Sequence, residues 1–118
     1  MATINASKWG FCNSGNQSTH AAARGASTST ATANPSTSTN DPILYHKGPG
    51  RSRGSFAYRV HRTFYYFDTS AVTGTVSSAT INIRGVNNFD ADVIVVPSTA
   101  FSGDGSTNLV GADINNLT

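Results

Sequence analysis

Three histidines, one cysteine and six aspartates are the side chains here that could act in catalysis or hold a metal, and glutamate is absent. His20, His46 and His61 stand at no spacing that brings two of them, or one of them and Cys12, onto a shared zinc. Asp90 and Asp92 begin an apolar run, and Asp104 lies in Gly103-Asp104-Gly105. Loop carboxylates of this kind can take Ca²⁺, but the alternating acids closed by a glutamate are missing. Calcium is therefore the one cofactor left open, and none is expected. His61, Asp68 and Ser70 supply the residue types of a hydrolytic triad. Strand alternation separates His61 from Asp68, however, and Asp68-Thr69-Ser70 reads as a turn closed by short polar side chains. No nucleophile elbow, glutamate pair or phosphate-cradling Gly–Lys motif occurs, and Gly48-Pro49-Gly50 is a turn with no helix to follow it. The expectation is a protein that is not an enzyme.

Binding chemistry is better represented. Residues 1–62 carry Lys8, Arg24, Lys47, Arg51, Arg53, Arg59 and Arg62 against Asp41; residues 63–118 carry Arg84 against five aspartates, so the two parts stand at +6 and −4. A basic half suits either nucleic acid or the acidic half of an identical neighbour. The cations are spread out and mostly lack interleaved aromatics, so a protein contact is preferred and nucleic acid is not expected. Trp9, Phe11, Ile43, Leu44, Tyr45, Arg51, Arg53 and Arg59 are the expected assembly contacts. Tyr45, Tyr58 and Tyr66 are the rings that could stack on a sugar. Arg62, within an aromatic run, is expected to pack its stem on rings and offer its head to a carboxylate such as Asp68 or to backbone carbonyls. The alternative for Arg62 is an anionic sugar or a partner carboxylate. Cys12 reads as a small buried thiol.

The elements that must position these groups are strands. Hydrophobic residues make up 37% of the 118-residue chain and charged residues 12%, with Ser, Thr, Asn, Gly and Ala filling the remainder. Helix formers are scarce while Thr, Val, Ile, Phe and Tyr are common, which predicts an all-β fold in one domain. Residues 13–41 are low-complexity, and the tract from Ala26 to Thr39 has no large apolar residue to bury. Residues 1–41 are therefore read as an extended, Ser/Thr-rich assembly arm and residues 42–118 as the folded body. Strands are expected at Ala2–Ala6, Asp41–Lys47, Phe56–Phe67, Val76–Arg84 and Ala91–Pro97, with Tyr65 and Phe67 facing inward. Turns are expected at Asp68–Ser70 and Ser102–Ser106, and Thr107–Val110 reads as extended. Neither a leader-peptide pattern nor an apolar run of membrane-spanning length is visible, so a cytoplasmic product without a membrane span is expected.

The run Arg62-Thr63-Phe64-Tyr65-Tyr66-Phe67-Asp68-Thr69-Ser70, followed by Val76-Ser77-Ser78-Ala79-Thr80-Ile81-Asn82-Ile83, resembles jelly-roll β-sandwich modules. Such modules occur in bacteriophage capsid-associated, fibre and tail proteins and in bacterial surface and carbohydrate-binding proteins. The continuation through Asp92–Val96 and Ser98–Gly105 looks most like the phage versions, and the resemblance covers residues 56–118. It implies a jelly-roll-like antiparallel β-sandwich. A module of this kind usually runs further, so either this is an N-terminal portion or neighbouring subunits complete the sandwich. The function it implies is that of a virion structural protein (capsid decoration or cement, fibre or tail component). Copies of itself and other virion proteins would be its partners, and host-surface glycan a further one. The alternative is a carbohydrate-binding or adhesive module at the cell surface.

Overall fold

Strand β4 (Phe56–Tyr66) is the element around which the others are arranged. Its aromatic and β-branched residues favour the pleated conformation. A computed structural model describes residues 3–27, 30–33, 45–49, 56–82 and 94–118, with the backbone alone at residues 33, 45–49 and 56. β1 (Lys8–Asn13), β2 (Thr30–Ala33) and β3 (Tyr45–Pro49) join β4 in an antiparallel sheet of order β2-β1-β4-β3. The first half of β4 pairs with β3, from Tyr45↔Val60 to Pro49↔Phe56. The second half pairs with β1, from Lys8↔Tyr66 to Asn13↔His61. Past Asn13 the chain stays beside β4. Ser14 clasps Val60 twice, donating its N–H to the carbonyl and accepting the Val60 N–H on its hydroxyl, both at 3.0 Å. Gln17 and Tyr58 then exchange both backbone bonds at 2.9 Å. The stretch read as an assembly arm thus supplies two strands of the sheet.

Register decides which face is covered. Gly10 lies opposite Phe64 and Cys12 opposite Arg62, while Cys12 also faces Ala31 of β2. Antiparallel partners share a face, so Gly10, Cys12, Phe64 and Tyr66 stand together. The core over them is Cys12, Phe64, Ala100, Phe101, Leu109 and Ile114, with Ala31 and Tyr66 packed against it. Its cover is not a strand. Residues 94–118 fold back as two 3-10 turns, Ala100–Ser102 and Gly111–Asn115. Their ends are tied by a Ser98↔Leu117 bridge and by bonds from Thr99 N to Asn116 O and from Thr118 N to Pro97 O, each 3.0 Å. Buried Asp113 holds the second turn, accepting from Val110 N at 3.0 Å and from Asn116 Nδ2. Full burial of Phe64, Phe101, Leu109 and Ile114 contributes about 1.5–3 kcal/mol each before entropy is counted.

Tyr66 and Lys8, partners in register, also seat the turn at 103–107. Lys8 Nζ donates to the carbonyls of Gly105 (2.6 Å) and Thr107 (3.0 Å). Gly105 has φ +76°, and a Cβ there would lie 2.6 Å from Cζ and 2.8 Å from Cδ1 of the Tyr66 ring. Phe101 and Ser102, at φ 58° and 62°, also take the left-handed region, and buried Phe101 is held there by the core.

The result is a mostly-β protein with one small antiparallel sheet and little helix; among the described residues α1 (His20–Arg24) is a single turn, capped when Thr19 Oγ1 accepts from Ala22 N at 3.1 Å. Several expected strands differ. Residues 3–6 are irregular and β1 begins at Lys8; of the strand expected at Asp41–Lys47, residues 45–47 lie in β3, which runs on through Gly48-Pro49, and residues 41–44 lie outside the described residues. Residues 76–82 and 94–97 make no strand; in Thr107–Val110, expected to be extended, Val110 has φ −122° and ψ 161°. Alternation and β-branching specify a surface that suits pairing, but a strand forms only where another strand accepts its ladder. Residues 83–84 and 91–93 lie outside the described residues. The inward assignment of Tyr65 and Phe67 is reversed: both are exposed, because the β1 register turns Phe64 and Tyr66 to the core. The expected turns do form, with Asp68 Oδ1 accepting from Ser70 N at 2.9 Å and Asp104 Oδ1 from Ser106 N at 2.8 Å.

Candidate interaction surface

A groove of about 560 Å³ runs along the second half of β4. Residues His61–Phe67 form its floor, and Ile81, Ile94–Ser98 and Leu117 contribute to its walls. Its apolar side chains are open to solvent: Ile94 is 82% exposed, Val95 60% and Ile81 58%. Tyr65, Phe67, Val96 and Leu117 are exposed as well. Isolated exposed apolar residues are ordinary, but a contiguous set lining one concavity marks a surface that binds something apolar. Its polar lining groups, among them His61, Arg62 and Ser98, could orient a partner.

The expected contact residues are distributed differently. Trp9 and Phe11 are half-buried on the sheet face opposite the core, Trp9 in register with Tyr65. The Phe11 ring tilts against that of His61 at 5.9 Å. Arg59 is half-buried, and its Nη2 donates to Asn16 Oδ1 at 2.6 Å. Ile43, Leu44, Arg51 and Arg53 lie outside the described residues, as does the side chain of Tyr45. Tyr58 is half-buried beside Gln17. Tyr66 packs on the core and over Gly105, so its ring face is occupied. The groove is instead built from Tyr65 and Phe67, expected to face inward, and from Ile94-Val95-Val96, expected in a strand. Their signal was present, as a run of three β-branched residues, but such a run reads equally as a buried strand.

Arg62 occupies a second locus. Its guanidinium donates from Nη1 to Ile114 O and to Asn115 Oδ1 (3.0 Å), and from Nη2 to Arg24 O (3.1 Å). It therefore ties α1 and the second 3-10 turn to β4 through carbonyls, one of the two partners expected for it, rather than through Asp68. Burial, and then the nearby Arg24 cation, push the Arg62 pKa below its ordinary value. Beside it is a hollow of about 420 Å³, lined among the described residues by His20, Ala21, Arg24, Gly25 and Arg62.

The remaining chemistry is local. Asp68 and Asp104 are exposed, and the hydroxyl and N–H of Ser70 and of Ser106 hold their carboxyls below the usual range; Lys8 assists at Asp104. Cys12 is fully buried, with Sγ 3.5 Å from Val110 O. Among the described residues no three His, Cys, Asp or Glu side chains converge as metal ligands, and no helix is long and apolar enough to cross a membrane. Compared with models of known protein families, with curated proteins and with solved structures, the chain matches none.

Proposed function

We propose that this chain is a structural protein of a bacteriophage virion, a capsid decoration or cement, fibre or tail component, that works by packing against copies of itself. The groove along β4 is the observation that carries this reading. An apolar concavity walled by Ile81 and Ile94–Val96 and floored by Tyr65 and Phe67 leaves burial to be completed by a second surface. A second copy is the occupant proposed: residues 1–62 stand at +6 and residues 63–118 at −4, opposite charges that can pair between copies. The mostly-β fold is in keeping with this reading, and the second sheet of a jelly-roll β-sandwich is part of the proposal.

Deleting residues 1–41 would remove β1, so it would test folding rather than assembly. The direct test is quantitative mass spectrometry of virions purified from a lysate of cells carrying the gene. The reading predicts the chain at many copies per particle. Absence from intact, purified particles overturns the virion assignment.

A further inference from the structure

We propose that the hollow between α1 and β4 is a binding site for a phosphate-class oxyanion, with Arg62 as its fixed anchor and Arg24 as its second arm. The hollow shares Arg62 with the apolar groove but takes its other lining residues, His20, Ala21, Arg24 and Gly25, from elsewhere, and it does not depend on the assembly reading.

The Arg62 guanidinium is pinned by three neutral acceptors, Ile114 O, Asn115 Oδ1 and Arg24 O. A guanidinium has five N–H donors in a rigid plane. Those three contacts leave Nε–H and one Nη2–H without acceptors among the described residues. Pinning also removes most of the rotamer entropy that an anion would otherwise have to freeze. Arg24 brings a second guanidinium to the same hollow from an exposed position on α1. No carboxylate lines the hollow among the described residues. The described acids are accounted for elsewhere: Asp68 and Asp104 close their own turns, and Asp113 is satisfied by Val110 N and Asn116 Nδ2. Two cations, one of them half-buried, thus face a cavity of about 420 Å³ with only neutral oxygens as partners. Burial first, and then the Arg24 cation beside it, lower the Arg62 pKa, so the uncompensated charge at the hollow carries an electrostatic cost. A doubly charged tetrahedral oxyanion relieves it, taking a forked pair of bonds from one guanidinium and a further bond from the other. The hollow is open to solvent, so an organic substituent on a bound phosphate can project outward.

The test is titration of inorganic phosphate into the ¹⁵N-labelled full-length chain at constant ionic strength, with chloride as the balancing ion. Saturable shifts confined to the amides of Arg24, Gly25 and Arg62 and to the Arg62 Nε–H are expected. Arg24→Gln, on an exposed position, should weaken binding by about tenfold or more while leaving the thermal unfolding midpoint unchanged. Glycerol phosphate and citrate form parallel arms. Tighter binding of glycerol phosphate assigns the site to phosphate esters, and equal binding assigns it to the free ion. Citrate binding more tightly than phosphate overturns the phosphate class. Linear shifts that phosphate and chloride produce alike, or an Arg24→Gln variant that binds as the parent does, overturn the site.

Discussion

Replacing Gly105 with alanine imposes two separable costs. The first is conformational. At φ +76° an L side chain sits in the left-handed region, which costs about 1–2 kcal/mol for a residue with a Cβ. The second is steric: the new methyl falls within 2.6–2.8 Å of two Tyr66 ring carbons and closer still to a third, Cε1. Tyr66 cannot simply swing away, because its ring packs on the core beside Phe64 and its backbone is paired with Lys8. Overpacking of this kind costs about 1–3 kcal/mol. The smaller entropy of unfolded alanine returns about 0.4–1 kcal/mol. The expected net loss is about 1.5–4 kcal/mol, a large share of the ~5–15 kcal/mol that holds a typical domain. Gly103→Ala is the internal control. Gly103 shares φ +76°, but its Cβ would meet only Thr99 Cα at 4.0 Å. It therefore carries the conformational cost without the clash. Unfolding should be followed by Trp9 fluorescence in urea and by thermal scans, where each kcal/mol moves the midpoint by roughly 4–8 °C. Gly105→Ala should fall below Gly103→Ala by about 1–3 kcal/mol. Adding Tyr66→Leu should recover much of that difference, as a coupled pair does in a double-mutant cycle. Equal stabilities for the two alanine variants would refute the placement of Tyr66 over the 103–107 turn.

Three further outcomes follow from the same geometry. Arg62→Met removes the bonds to Ile114 O, Asn115 and Arg24 O and should cost about 1–3 kcal/mol in urea denaturation; Arg62→Lys should recover only part of this, because an ammonium cannot reproduce the fork, and an unchanged urea midpoint in Arg62→Met would remove the staple. The Cys12 thiol, fully buried, should resist a disulfide reagent in the native state and react once the chain is unfolded in urea; rapid native labelling contradicts its place in the core. The Asp68 and Asp104 carboxyls are held below their ordinary value, so the turns they close are supported above the unfolded pKa of about 3.9 and lose that support as pH falls through the lower folded value. The Ser70 and Ser106 amide resonances should hold steady from neutral pH to about pH 4 and move only below it; a midpoint at or above the unfolded value counts against these hydrogen bonds.

What was legible in the chain was local. The aromatic run of β4 specifies a strand wherever a partner exists, and Asp68–Ser70 and Asp104–Ser106 close their turns with their own side chains. The carbonyl option for Arg62 came from the reach of its long stem within an aromatic strand, and it stood beside Asp68 as an alternative. What was not legible depends on register. Both faces of β4 carry aromatics, so nothing in Phe64-Tyr65-Tyr66-Phe67 says which pair is covered until Gly10 and Cys12 are set opposite Phe64 and Arg62. The cover itself, from Ala100, Phe101, Leu109 and Ile114, follows no period of two or of 3.6 and so leaves no pattern to find. The single turn of α1 had a signal, Thr19 before a run of alanines, but it stood inside a tract whose composition suggested no structure. The strand expected over Ile94-Val95-Val96 failed for a related reason: the run has the composition of a strand, but without a ladder it stays open to solvent.

Assembly through that groove is tested most directly by the mass of the purified full-length chain in solution, measured by light scattering across a wide concentration range, beside that of Val95→Asp. The account predicts a mass that rises to a multiple of 12.3 kDa for the native chain. It predicts a return toward one copy when a charge is placed in the groove wall, with the circular dichroism of the sheet unchanged. A native chain that stays at 12.3 kDa at the highest concentrations, or a Val95→Asp variant that assembles as the native chain does, contradicts it.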